Sequence, residues 1–441
     1  MAQIDIAGLK IDTLTKKELL SAVSARVESG QKTFITTPYS EFLFASLMDK
    51  KILEMLNLSD IAVADGIGIF WAAKFLQLPL TAKSYFGRIS QAFWQMLYTL
   101  AFAPMLSRGA KDLPPEKIPG SDLVWDISQL AAEKKYSIFL LGGFGTTPKI
   151  VAEKLKARFP NLIIAGYSTK NMDDASVLDD IRKASADFLF VAYGPIRQER
   201  WIIEHKEELP SKLFIGLGGT FDYIAKIRTA PPAFIRSLGF EWLYRLITQP
   251  QRIKRIFHAT FGLITALMRY KVFMSYPLRP NVVVVILNFA NEILVCERDP
   301  KDFHIDIISS AETLKKIGYW QFPQGGIDPN EDIVKAGRRE AYEETGLKDL
   351  ELISVSKKTH SYSWNNAERK LFKNKNHKNP GQMQHIVYFK FYGDPKTVTP
   401  DNQEFINYQW AAVQQLAHIV HPERKNLTNI VMDDLNHTAL L

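Results

Sequence analysis

Gly325-Gly326-Ile327-Asp328-Pro329-Asn330-Glu331, followed after seven intervening residues by Arg339-Glu340-Ala341-Tyr342-Glu343-Glu344-Thr345-Gly346-Leu347, is the stretch on which the reading of this chain turns. Glu340, Glu343 and Glu344 stand at i, i+3 and i+4. On a helix they share one face, with Cβ atoms roughly 5–6 Å apart. Three carboxylates crowded there repel one another and weaken a bare helix. A hard divalent cation reverses that sign, because Mg²⁺ or Mn²⁺ prefers oxygen ligands and bridges phosphate oxygens. A solvated acidic face is the ordinary fate of a charge run. It accounts for neither the glycine pair before the helix, nor Glu331, nor the stop at Gly346. The stretch therefore predicts a glycine turn, then a helix with a cation-binding face.

Composition sets the frame. At 441 residues the chain is too long for one ordinary core and predicts two or three domains. With 46% hydrophobic and 23% charged residues it reads as folded, which excludes the disordered classes. The single cysteine, Cys296, excludes an intramolecular disulfide framework and suits a reducing compartment. The opening residues, Met1 to Ile6, form neither a basic nor an apolar leader, and no apolar run reaches bilayer-spanning length. A cytoplasmic location is expected. The net charge of +8 is mostly local: from Arg236 to Lys271 seven basic residues face one acid, Glu241. A polyanion or an anionic membrane surface is the natural partner of that segment. Its aromatic and aliphatic interleaving, with no RNA-binding motif beside it, argues against nucleic acid.

The first 230 residues alternate short apolar runs with helical patterns, which predicts a layered α/β domain. Strands are expected at Thr33–Thr36, Ile61–Val63, Ser137–Leu141, Leu162–Ala165, Phe188–Val191 and Leu213–Ile215, with helices between them, among them Thr147–Arg158 and Arg197–Glu208. The expected domains are 1–232, a basic helical appendage over 233–275, and a third unit over 276–441 opened by Pro277, Pro280 and a strand at Asn281–Leu287. Residues 89–106 look inserted, apolar almost all round and ended near Pro104. Too short to cross a bilayer, they suit an interfacial or re-entrant helix and a buried core helix about equally.

Short motifs follow the expected strands: Thr36-Thr37-Pro38, Ala64-Asp65-Gly66-Ile67-Gly68, Gly142-Gly143-Phe144-Gly145, Gly194-Pro195 to Gln198-Glu199, and Gly216 to Asp222. Such strand ends are where α/β sheets bind ligands. Glycines there admit a diphosphate to backbone N–H groups, and a following helix N-terminus favours its charge. Singly each motif is weak: Gly142–Gly145 reads evenly as turn or phosphate site, and Asp65 reads also as a helix cap. In order and spacing they resemble the WecG/TagA/CpsF glycosyltransferase family over roughly residues 1–255. The resemblance is carried by Thr37, Asp65 to Gly68, Pro119-Gly120-Ser121-Asp122, Gly194-Pro195, Gln198-Glu199, Gly218 to Asp222 and Glu241-Trp242-Leu243-Tyr244-Arg245. It implies metal-free transfer of an N-acetylmannosamine-type sugar from a UDP donor to an undecaprenyl-diphosphate-linked acceptor, in cell-surface polysaccharide synthesis. By the same resemblance Asp65 is the base, and Thr37, Gln198 and Asp222 line its pocket. Two residues depart from the pattern. Tyr39 stands where asparagine is usual, and Lys117 replaces an arginine before Pro119.

Arg245, Arg252 and Arg255 are spaced by seven and three, so one helical face holds all three, beside an apolar stripe of Ile253, Phe257, Phe261, Ile264 and Met268. This fits the family's C-terminal appendage, with arginines on lipid and substrate phosphates and the stripe in the headgroup boundary. The chain is then peripheral to the inner face of the membrane. An amphipathic helix packed on a domain is the alternative.

The stretch quoted first matches the Nudix box, G-x5-E-x7-R-E-U-x-E-E-x-G-U with U apolar, at every defined position. Its flanks resemble RNA pyrophosphohydrolases and dinucleoside polyphosphate hydrolases over about 276–430, through Leu278 to Val282, Gly318 to Gly326, and Gln403-Glu404-Phe405 with Trp410. The resemblance implies an α/β/α Nudix fold with a mixed sheet and attack of metal-bound water on phosphorus. Mg²⁺ or Mn²⁺ is then held by Glu340, Glu343, Glu344, the Gly325 carbonyl and Glu404, with Glu343, Glu344 and Glu404 the catalytic candidates. Arg339 orients a carboxylate, and Arg279 and Arg424 are candidate phosphate contacts. Trp320 and Phe322 either stack on a base or fill the core. The substrate class is a nucleoside polyphosphate, a nucleotide sugar or an RNA 5′ end. The expectation is an α/β chain with two catalytic heads. Against it stands a chain in which one half is a non-catalytic nucleotide- or lipid-binding module. A homo-oligomer is compatible with either.

Overall fold

The computed structural model describes residues 2–106, 112–227, 229, 232, 235, 241–248, 251, 253–299, 319–363, 379–401 and 404–437, without the side chains of residues 241, 242, 245 and 423. They form two compact units, Met1–Val272 and Phe273–Leu441.

The first unit opens with a hairpin, β1 (Gln3–Ile6) and β2 (Leu9–Asp12). Its two turn residues, Ala7 and Gly8, both have positive φ, the geometry whose twist matches paired strands. A six-stranded sheet follows: β3 (Thr33–Thr36), β4 (Ile61–Ala62), β5 (Ser137–Gly142), β6 (Ile163–Ser168), β7 (Phe188–Ala192) and β8 (Leu213–Gly216). The order is β4-β3-β8-β7-β5-β6, every pairing parallel. Both faces of its central strands are covered, so β5, β7 and β8 are continuous apolar runs. Ile35, Ile138 and Leu140 face one core with the helices Lys16–Glu28, Gly120–Lys134 and Thr147–Arg158. Phe34, Phe139 and Leu141 face the other with Ser176–Ala184 and Arg197–His205. The last helix ends three residues earlier than the periodicity predicts.

The inserted segment is one helix, Tyr85–Leu106. It is not a buried core helix. Only Ala92, Met96, Thr99 and Ala103 are buried, and Thr99 Oγ1 accepts a hydrogen bond from Trp71 Nε1 at 3.0 Å. The basic segment forms Ile253–Phe257, a π turn over His258–Gly262, and Leu263–Met274. Lys271 anchors it by donating to the Phe75 carbonyl, and burial lowers its ammonium to about 8. No helix among the described residues is long and apolar enough to cross a membrane.

The second unit is a seven-stranded mixed sheet of β9 (Arg279–Leu287), β10 (Ile293–Arg298), β11 (Trp320–Gln321), β12 (Gln324–Gly326), β13 (Glu351–Ser363), β14 (Gly381–Lys390) and β15 (Phe405–Ala411). The path β11-β10-β9-β14-β13 is joined by β12 on β9 and β15 on β10; only β14 and β9 run parallel. Alternate residues of β9 feed two cores. Val282, Val284 and Ile286 meet Ala336 and Ala341 of the helix Ile333–Thr345, while Val283, Val285 and Leu287 meet Leu427 and Val431 of Lys425–His437. The result is the expected helix–sheet–helix sandwich.

Candidate functional sites

In the first unit the C-terminal strand ends open into one cleft of about 1830 Å³. It gathers Thr37, Asp65, Gly143, Gln198, Asp222 and Arg255 from sequence positions more than 200 residues apart. Asp65 sits past β4. Its Oδ2 accepts the Gly120 N–H at 3.1 Å, and its own N–H donates to the Pro38 carbonyl at 2.9 Å. A Cβ on Gly120 would stand 3.2 Å from Thr37 Oγ1 and 3.7 Å from Asp65 Oδ2. Gly120 thus lets the Pro-Gly-Ser-Asp segment close against both residues. Lys117 lines the cleft as well.

Gln198 and Glu199 are buried and form a brace. Gln198 Oε1 accepts the Gly218 N–H at 2.9 Å, and its Nε2 donates to Glu199 Oε1 at 2.7 Å. Glu199 Oε2 in turn accepts the Ile196 N–H at 2.6 Å, where Ile196 is held at φ +70°. Burial pushes the Glu199 carboxyl up to about 7, against the hydrogen bonds that favour its charge. Gln198, expected as a substrate contact, spends its carbonyl and one N–H on tying two loops together. Gln198 still lines the cleft, whereas Gly142 does not. At φ +96° its Cβ would meet the Ala192 carbonyl carbon at 2.8 Å, so the residue serves close strand packing, and Gly143 faces the cleft.

Tyr39, one of the two residues that depart from the expected pattern, has partners that sequence reading did not find. The Tyr39 hydroxyl donates to Glu41 Oε2 at 3.1 Å and accepts from Arg255 Nη2 at 2.9 Å; Arg255 Nε donates to Glu41 Oε2 at 2.6 Å. Burial and the Glu41 charge raise the Tyr39 phenol. Of the three arginines expected on one face, Arg255 thus enters the cleft wall, while Arg252 and the Arg245 side chain lie outside the described residues. Ile253, Phe257 and Phe261 of the stripe are exposed.

In the second unit the helix Ile333–Thr345 starts where Asp332 Oδ1 accepts the Val334 and Lys335 N–H groups and ends at Gly346, φ +70°. Arg339 organises the acidic face. It forks onto Glu331 at 2.9 and 2.8 Å, reaches Glu340 at 2.7 Å and Glu343 at 3.2 Å, and donates to the Gly326 carbonyl at 2.8 Å. This fixes the role of Glu331, whose carboxyl Arg339 holds down at about 2. Glu340 and Glu344 are buried, and burial raises both carboxyls, Glu344 well above the usual range; the charge of Glu404 adds to each. Glu344 Oε2 accepts the Gln324 N–H at 2.8 Å, and Glu404 pairs with Arg298 at 3.1 Å.

The expected ligand set is not assembled into a cage: among the described residues no three His, Cys, Asp or Glu side chains stand ready to hold a metal. Arg339 draws Glu340 and Glu343 to itself, and Arg298 takes Glu404. The donor chemistry still fits a hard cation. Burial raises both carboxyls and the Glu404 charge adds to each, and a Cβ on Gly325 would overlap the Glu340 carboxylate, so the glycine turn packs directly on an oxygen donor.

Phe322 is buried in the core, whereas Trp320 is half-buried. Arg279 lies against Gly326, beside the glycine turn, and Arg424 lies over the Tyr362 ring at 5.7 Å. Gln403 lies outside the described residues.

The family model described as "Glycosyl transferase WecG/TagA/CpsF family" matches residues 4–99 and 101–276, and the NUDIX domain model matches 277–430. The N-acetylglucosaminyldiphosphoundecaprenol N-acetyl-beta-D-mannosaminyltransferase of Bacillus subtilis is 30% identical over 239 residues, 54% of this chain and 80% of the relative. The enzyme of that name from Staphylococcus aureus is 26% identical over 260 residues, 58% of this chain and 88% of the relative. Among solved structures, a C. elegans Ap4A hydrolase is 19% identical, covering 36% of this chain and all of that one, with a TM-score of 0.26.

Proposed function

Because the chain belongs to the WecG/TagA/CpsF glycosyltransferase family and continues into a NUDIX hydrolase domain, we propose that it is a bifunctional enzyme with two separate active sites. The first transfers an N-acetylmannosamine-type sugar from a UDP donor to an undecaprenyl-diphosphate-linked acceptor. The observation that carries this is the single cleft joining Asp65, Thr37 and Asp222 to Arg255 and Lys117. Asp65 takes the proton of the acceptor hydroxyl as that oxygen bonds to the sugar's anomeric carbon. The bond from that carbon to UDP breaks, and its electron pair leaves on the diphosphate. Lys117, Arg255 and the N–H groups of the glycine loops supply the positive potential that the leaving group needs. Working on a lipid-anchored acceptor, the chain sits peripherally on the inner face of the membrane.

The second site hydrolyses a phosphoanhydride in a nucleoside polyphosphate or nucleotide sugar. Mg²⁺ or Mn²⁺ would be held by Glu340, Glu343, Glu344, the Gly325 carbonyl and Glu404, and when bound supplies an acidified water and charge neutralisation. Arg339 keeps the carboxylates on one face, while Arg279 offers a cation beside the glycine turn.

The test for the first site is incubation of the full chain with UDP-N-acetylmannosamine and a lipid-diphosphate-linked N-acetylglucosamine acceptor. Growth of the acceptor by one N-acetylhexosamine, lost in Asp65→Asn, is expected. UDP binding without transfer would make the cleft a binding module instead. For the second site, a panel of phosphoanhydrides with products identified by mass names the substrate, and no cleavage of any member would refute the reading.

A further inference from the structure

The geometry points to the helix Tyr85–Leu106 as a membrane-docking face that lies flat on an anionic bilayer beside the mouth of the transferase cleft. The helix packs on the protein by one stripe of small or slender residues, Ala92, Met96, Thr99 and Ala103, at spacings of four, three and four. The opposite side is exposed and aromatic: Phe86, Phe93, Trp94, Tyr98 and Phe102, continued by Met105. Phe86 is 81% exposed and Trp94 66%. From Ile89 to Leu106 there is no charged side chain. A contiguous apolar face of this kind marks an interaction surface. Its mixture of Trp, Tyr and Phe is the one that settles at the headgroup level, where a ring is apolar and its polar edge stays wet.

Four further observations select the bilayer as occupant. No helix among the described residues is long and apolar enough to cross a membrane, and this one is held to the protein along its length, so it enters only in the interfacial plane. A second element has the same character: Ile253 and Phe257 are exposed within the basic segment, and Phe261 is exposed at the edge of the cleft. Both elements turn their inner sides to the same cleft, through Leu100 and Pro104 on one and Ile256 and Ile264 on the other. The cleft is therefore walled by the two elements that carry exposed apolar faces. Exposed Lys83 and Lys254 stand beside those faces, and they suit acidic headgroups. Resting on the transferase reading, this arrangement lets an acceptor anchored in the bilayer reach Asp65 without leaving the lipid.

The experiment is flotation of the full chain with vesicles of phosphatidylcholine and phosphatidylglycerol at low salt, beside the variant Phe93→Ser/Trp94→Ser/Tyr98→Ser/Phe102→Ser. All four side chains are exposed, so an unchanged Tm is expected. The vesicle-bound fraction should fall about tenfold or more, with transfer to a short-chain, water-soluble acceptor unaltered. A variant that floats like the parent overturns the proposal. So does a parent that ignores vesicles but forms a dimer the variant breaks, because the face then covers a second copy. A parent that floats but transfers nothing supports the docking face and overturns the transferase reading instead. Independently, a polarity-sensitive dye on Phe93→Cys should shift to the blue when vesicles are added. Cys296 is buried and leaves that label specific. No shift would count against the proposal.

Discussion

Substituting Gly216 by alanine tests whether the Gln198–Glu199 brace holds the transferase cleft together. The new Cβ would overlap Glu199 Oε1 and stand 2.6 Å from Gln198 Nε2 and 3.0 Å from Gln198 Cδ. Neither side chain is a free tail that can swing aside. Each is tied to a backbone N–H, at 2.9 Å to Gly218 and 2.6 Å to Ile196. Making room breaks at least one buried hydrogen bond, which costs about 1–3 kcal/mol when its partner is stranded. Residual overpacking adds a further ~1–3 kcal/mol. Together the first unit should lose about 2–6 kcal/mol, read by urea denaturation with hydrogen exchange resolved by peptide, while exchange in the second unit stays unchanged. Gly219→Ala is the control: its Cβ meets nothing within 4 Å and its φ is −78°, so the change should stay within about 0.5 kcal/mol. A Gly216→Ala chain as stable as the parent, or a Gly219→Ala chain that falls as far, would refute the brace.

Other outcomes follow from the same geometry. Glu199, ordinarily near 4.5, is raised to about 7 by burial, so its folded form holds the proton more tightly than its unfolded form. Its destabilising contribution is absent below pH 4.5 and complete above about 7; denaturation midpoints of the first unit should fall across that window, by at most about 3 kcal/mol. A midpoint that rises with pH there would contradict the buried placement. Arg339→Lys keeps a charge but loses the fork onto Glu331, and should cut phosphoanhydride hydrolysis by about tenfold or more with transfer unaffected. Chelation of divalent ions should stop the hydrolysis and spare the transfer; equal loss of both would speak against two separate sites.

Much of the fold is legible in the sequence because the central strands of both sheets are buried on both faces. Each of the six predicted strands of the first unit appears, since an apolar run such as Phe188–Ala192 has no other way to satisfy two cores. The hairpin at Gln3–Asp12 escapes that reading. Its turn is Ala7-Gly8, with a non-glycine residue at φ 55°, and no asparagine or aspartate announces it. The partition of Tyr85–Leu106 into a packed stripe and an exposed face is set by what the helix Ile67–Gln77 offers it, which local periodicity does not carry. The acidic face of the box helix is read directly from spacing, as is the glycine turn before it. The position of Glu331 as the bidentate partner of Arg339, and the Tyr39–Glu41–Arg255 cluster, depend on approaches across eight and more than 200 residues. No window of sequence displays those.

The central claim is that one chain carries two chemistries at two sites, one around Asp65 and one around the box glutamates. It is tested most directly by measuring sugar transfer and divalent-dependent phosphoanhydride hydrolysis side by side in full-length Asp65→Asn and Glu343→Gln. Asp65→Asn should lose transfer by about 10²- to 10⁴-fold and keep hydrolysis, and Glu343→Gln should do the reverse. Loss of both activities in either chain, or of neither, would contradict it.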